Sequence, residues 1–135
     1  MNPRGIVLVG LALLVGVIAG CGKSEKDLLR ERTKRFNEAA DVLATVTDRE
    51  SYEKAKPKLK AFMAYRLETS SKAREKVEKM SSEEKEAAKR NEQEMKNDPE
   101  FEKCREAIKR YASESARVMT LPEIGPLYMK EIVGE

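Results

Sequence analysis

Three stretches of this chain place apolar residues at alternating three- and four-residue steps, a period that fits amphipathic helices and not strands. The first carries Leu29, Phe36 and Leu43 at seven-residue intervals, with Ala39, Ala40 and Val46 on the same stripe. The second runs through Leu59, Met63, Arg66, Ser70, Ala73, Val77 and Met80, with Phe62 beside it. Its middle is polar, so Arg66 reads as an edge position whose aliphatic stem covers apolar surface while its head stays wet. The third, Phe101, Cys104, Ile108, Tyr111, Ser115 and Val118, is the most regular.

Start and stop signals divide these stripes. Ser24 with Asp27 three residues later reads as a capping box that opens a helix ending near Val46. Thr47 and Asp48 offer N-cap oxygens for a short turn containing Ser51, Tyr52 and Ala55. Pro57, lacking a backbone N–H, is expected in the first turn of a separate helix after it. Ser81 and Glu84 form another box, which either begins a new helix or decorates a continuous one. The stretch from there to Asn97 has only Ala87, Ala88 and Met95 as apolar residues, too few to bury, so it should lie in solvent or on the margin. Asp98 and Pro99 supply an N-cap and N1 pair that restarts a helix ending near Met119.

Charged residues are 38% of the chain and aromatics 5%, with no Trp or His, so any core is lean. The predicted fold class is all-α: a small antiparallel helical bundle, or an elongated helical hairpin, of about three amphipathic helices. Net charge is only +3 with the two signs interspersed, which argues against a nucleic-acid partner. The same interspersion predicts surface pairs four residues apart: Glu31 with Arg35, Glu75 with Lys79, Glu86 with Arg90 and Glu106 with Arg110.

The N-terminal residues have a different character. Arg4 precedes an apolar run from Ile6 to Ala19, a positive n-region followed by an h-region too short and Gly-rich for a permanent span. It ends in Ile18-Ala19-Gly20-Cys21, which resembles the lipobox of bacterial lipoproteins. The resemblance covers residues 1 to about 22. It implies a signal peptide over 1–20, cleavage between Gly20 and Cys21, and a diacylglycerol on the Cys21 thiol. Residues 21–23 would then be a lipidated tether, 24–119 a helical domain, and 120–135 an apolar C-terminal tail. Gly22 stands where lipoproteins retained at the inner membrane often carry Asp, so the resemblance implies an outer-membrane location facing the periplasm. An uncleaved anchor is the alternative.

No catalytic constellation, cofactor motif or metal site is readable in the remaining residues. His, the usual general base and commonest metal ligand, is absent, and Cys104 is the one thiol besides Cys21. Its place between Phe101 and Ile108 predicts burial. The expected role is a structural or protein-interaction module, held to the membrane by lipid, with an envelope protein or a second copy as partner. The alternative is a small-molecule or Met-based copper-binding module using Met63, Met80, Met95, Met119 and Met129, which are dispersed and otherwise read as core filling. The tail concentrates Leu121, Ile124, Leu127, Tyr128, Met129, Ile132 and Val133, too apolar for a disordered end. It either folds back as a cover on the bundle or docks a partner through Ile124, Tyr128 and Ile132.

Overall fold

The computed structural model describes residues 25–134, and the segment expected to be a lipobox, with Gly20 and Cys21, lies outside that range. Among the described residues the protein is all-α, with no strand. Five helices follow one another: α1 (Glu25–Ala44), α2 (Arg49–Glu78), α3 (Ser82–Met95), α4 (Pro99–Met119) and α5 (Ile124–Tyr128). A π-helical turn, Met129–Val133, continues directly from α5. None of these helices is long and apolar enough to cross a membrane.

Local chemistry sets most of the boundaries. Asp48 caps α2 through its side chain to the Ser51 N–H at 2.8 Å, and the Ser51 hydroxyl returns to the Asp48 N–H. Ser81 and Glu84 close the reciprocal box that starts α3, so the chain does break there. Asp98 accepts from the Glu100 N–H at 2.9 Å ahead of Pro99.

Pro57 departs from expectation: α2 runs through it from Arg49 without a break. Tyr52, Ala55, Leu59 and Phe62 form one buried stripe, while Pro57 lies on the exposed face. A proline there deprives the Glu53 carbonyl of its helical partner on the side where water can replace it, so packing of the opposite face carries the helix through.

The α1–α4 pair makes the most extensive interface of the molecule. Lys26 meets Asp98 at 3.3 Å, Arg30 meets Glu100 at 3.5 Å, Arg110 reaches Asp41 and Asn37, and Arg117 reaches Leu43 and Val46. Contact positions rise together on both helices, so α1 and α4 are parallel. The antiparallel relation holds for α2, whose Phe62 and Tyr65 meet Phe36 and Arg35 of α1. Arg110 therefore abandons its spacing-based partner Glu106, which pairs with Lys109; Glu86 likewise takes Lys89 in place of Arg90.

Phe36 is 1% exposed at the centre of the core, with Phe62 and Tyr111 edge-on to it at 5.1 and 5.4 Å between centroids. Such pairs add about 0.5–1.5 kcal/mol to simple burial. Arg117 closes the far end of α1, donating to the Leu43 carbonyl at 2.7 Å and the Val46 carbonyl at 2.9 Å while Glu114 holds its Nε. A side chain of α4 thus supplies a donor to the Val46 carbonyl and a second one to the Leu43 carbonyl, which also accepts from the Val46 N–H at 3.0 Å.

The tail belongs to the same core. Ile124, Tyr128 and Ile132 are 4%, 0% and 6% exposed and join the cluster built by α1, α2 and α4. Glu123 adopts a positive φ of 66° to turn the chain, and Gly125 then lies so close to Met119 that a Cβ would stand 2.2 Å from its carbonyl oxygen. Only glycine fits that approach. Leu43→Ala, at a fully buried position, is expected to cost about 2–5 kcal/mol in urea unfolding. Leu67→Ala, at a position 67% exposed, should change stability by about 0.5 kcal/mol or less.

Candidate functional site

Three features of the described residues could carry a role beyond holding the fold: the tail and its attachments, an arginine–aromatic cluster in the bundle, and the helices that contribute little to the core.

The tail is attached at two polar points. The Tyr52 hydroxyl donates to Glu131 Oε2 at 2.7 Å, and Lys56 meets the same oxygen at 3.0 Å. Burial and the adjacent carboxylate push the Tyr52 phenol above its ordinary range, so it stays a donor. Hydrogen bonds from Tyr52 and Lys56 hold the Glu131 carboxyl below its usual value. Deeper in, the hydroxyls of Tyr128 and Ser115 share a hydrogen bond at 2.7 Å, which satisfies two polar groups inside an apolar core. Burial, with Tyr111 close by, raises the Tyr128 phenol as well.

This placement corrects the docking expectation for the tail. Ile124, Tyr128 and Ile132 point inward and present no face to a partner in this conformation. The lean core is the physical reason: these three side chains cover apolar surface that α1, α2 and α4 leave uncovered, and burying each contributes about 1.5–3 kcal/mol.

The second feature was not legible in the sequence. Arg32 and Arg66 both lie over the Phe36 ring, at 5.2 and 5.7 Å from its centroid, and Arg66 is also 5.6 Å from the Tyr111 ring. Arg35 covers Tyr65 at 5.1 Å. Arg66, expected at an edge of the bundle, is half-buried and lays its head against two rings. The negative faces of the aromatics attract the guanidinium groups, each contact being worth about 0.5–2 kcal/mol. Burial, more than the nearby Arg66 charge, lowers the Arg32 pKa. The available signal was the four-residue step from Arg32 to Phe36 and from Phe62 to Arg66, which puts each pair on one helix face.

Cys104 is fully buried beside this cluster, and burial pushes its thiol up, away from the thiolate a reactive cysteine needs. The methionines fall on different elements: Met63 in α2, Met80 in the turn after it, Met95 at the end of α3, Met119 at the end of α4 and Met129 in the tail. Met63 packs on the core and accepts a long contact from the Tyr111 hydroxyl at 3.9 Å. Among the described residues, no group of three or more Cys, Asp or Glu is arranged to hold a metal ion.

The third feature is the outer helices. α3 has no buried residue, and Leu67 on α2 is the most exposed large apolar side chain described. Between α1 and α4 an open groove lined by Thr33, Asn37, Lys103, Glu106, Ala107 and Arg110 carries both charge signs. No protein-family model, curated protein or solved structure matches this chain.

Tyr128→Ala is expected to cost about 3–5 kcal/mol, and truncation after Thr120 should lower the melting temperature sharply. An unchanged melt for the truncated chain would show that the tail does not hold the core. A second expectation concerns pH. The folded Glu131 pKa is depressed, so its contribution is present above the ordinary carboxylate value of 4.5 and is lost as pH falls through the lower folded value. Tyrosine fluorescence or amide exchange of the tail should therefore report loosening below about pH 4.5, and Glu131→Gln should remove that acid-dependent step.

Proposed function

We propose that the chain is a lipid-anchored, non-catalytic interaction module of the bacterial cell envelope, facing the periplasm from the outer membrane, that binds an envelope protein or a second copy of itself. The anchor rests on the n-region, h-region and Ile18-Ala19-Gly20-Cys21 pattern, since several acyl chains together give stable membrane attachment. The interaction role rests on one observation: the fold keeps α3 as an ordered helix that buries none of its residues, and leaves Leu67 open nearby in sequence. A helix polar on every side adds little to a core. Its capping box, and i,i+3 pairs such as Glu86 with Lys89, serve to present a defined surface.

The groups that most resemble chemical equipment are spent on structure in this reading. Cys104 is packed away, the arginines lie on aromatic rings, and the tail carboxylate is committed to Tyr52 and Lys56. Cys21→Ser should abolish incorporation of a tagged fatty acid, and equal labelling of the variant would overturn the anchor. A photo-crosslinking residue at Leu67 or Lys89 in intact cells should give discrete adducts, with none from the buried position 104. The absence of a discrete adduct from every exposed position would overturn the interaction role.

A further inference from the structure

We infer that the elbow between α2 and α3, centred on Lys79–Ser82, rests against the phospholipid headgroups of the membrane that anchors the chain. This rests on the lipid anchor at Cys21 proposed above, and it follows from lengths and register.

α2 is 30 residues long and α1 is 20. They are antiparallel, with Phe36 against Phe62. Eleven residues before Phe36 is Glu25, where α1 begins; eleven residues after Phe62 is Ala73, which is 4% exposed and thus still covered at that level. Arg74 to Glu78 therefore continue past the start of α1, and at about 1.5 Å per residue the elbow projects on the order of 10 Å beyond it. The start of α4 lies level with the start of α1, because Lys26 pairs with Asp98. Hence α3 is the return path from the projecting elbow to the start of α4.

The anchor lies on the same side. Four peptide steps separate Cys21 from Glu25, so whatever its conformation the tether cannot exceed about 14 Å. With Cys21 held among the headgroups and the bundle axis along the membrane normal, an overhang of about 10 Å brings the elbow to the lipid surface even when the tether is nearly extended. Charge does not drive this contact. Arg74, Lys76, Lys79 and Lys85 are matched in number by Glu75, Glu78, Glu83 and Glu84 around the turn. The half-buried Val77 and Met80 are the apolar residues there, suited to the boundary between headgroup and acyl chain. At the other end, Arg117 and the tail close the bundle, so the molecule has a membrane end and a sealed end.

The test uses the mature, lipidated protein in phosphatidylethanolamine–phosphatidylglycerol vesicles containing a nickel-chelating lipid. A fluorophore is attached at Lys79→Cys, at Ser82→Cys or, as the distal control, at Thr120→Cys. All three native residues are exposed, Cys104 is buried, and the Cys21 sulfur is consumed by the lipid. Nickel at the headgroups should quench positions 79 and 82 several-fold more than position 120, which lies roughly 40 Å farther along the bundle. Equal quenching at all three, in protein that carries its acyl chains and floats with the vesicles, would overturn the elbow contact and leave the anchor standing. Protein that carries no acyl chain by mass spectrometry and does not float would overturn both.

Discussion

The parallel pairing of α1 with α4 is the constraint from which the rest of this fold follows. Two parallel helices cannot be joined by a tight turn, so the chain must travel the length of the bundle and come back between them. Here α2 makes the outward journey antiparallel to both, and α3 brings the chain back to the level of Lys26 and Asp98. By the Phe36–Phe62 register α2 runs about five residues past α1 at each end: residues 49–53 lie where Tyr52 meets the tail, and residues 74–78 lead to the elbow.

A core with so few aromatic residues must place each of them well. Phe36, Phe62 and Tyr111 meet near the middle of the bundle, and guanidinium groups from α1 and α2 lie over their faces where a richer core would put aliphatic side chains. The tail completes the same economy. Tyr128 and Ile132 fill what the three long helices leave open, and Ser115 gives the buried Tyr128 hydroxyl the partner it needs. Gly125 allows the tail to pass against the Met119 carbonyl, and the positive φ at Glu123 turns it there. The strain at Glu123 is tolerated because the tail that follows is anchored on both sides, by burial and by the Tyr52–Glu131–Lys56 contacts.

These features bear directly on function. Apolar residues that looked available in the sequence are mostly committed to the core, and what remains outward is the charged surface of α3, Leu67 and the turn at the end of α2. The start of α1 and the elbow beyond Glu78 are at the same end of the bundle, while the tail seals the other.

The sequence by itself determined the helices, most of their caps and the faces they bury. Leu29, Phe36, Leu43, Phe101, Cys104, Ile108, Tyr111 and Val118 are all buried as their spacing predicts, since helical periodicity and capping act within a few residues along the chain. It also carried Ile18-Ala19-Gly20-Cys21, a local pattern that resembles a lipobox and is legible without a fold. Tertiary structure alone decided that α1 and α4 run parallel, that α2 passes through Pro57, that Arg66 lies on two rings, that Arg110 leaves Glu106 for Asp41, and that the tail faces inward. Each of those depends on which faces meet across tens of residues, and the stabilisation comes from the pair brought together and not from either residue's neighbours in sequence.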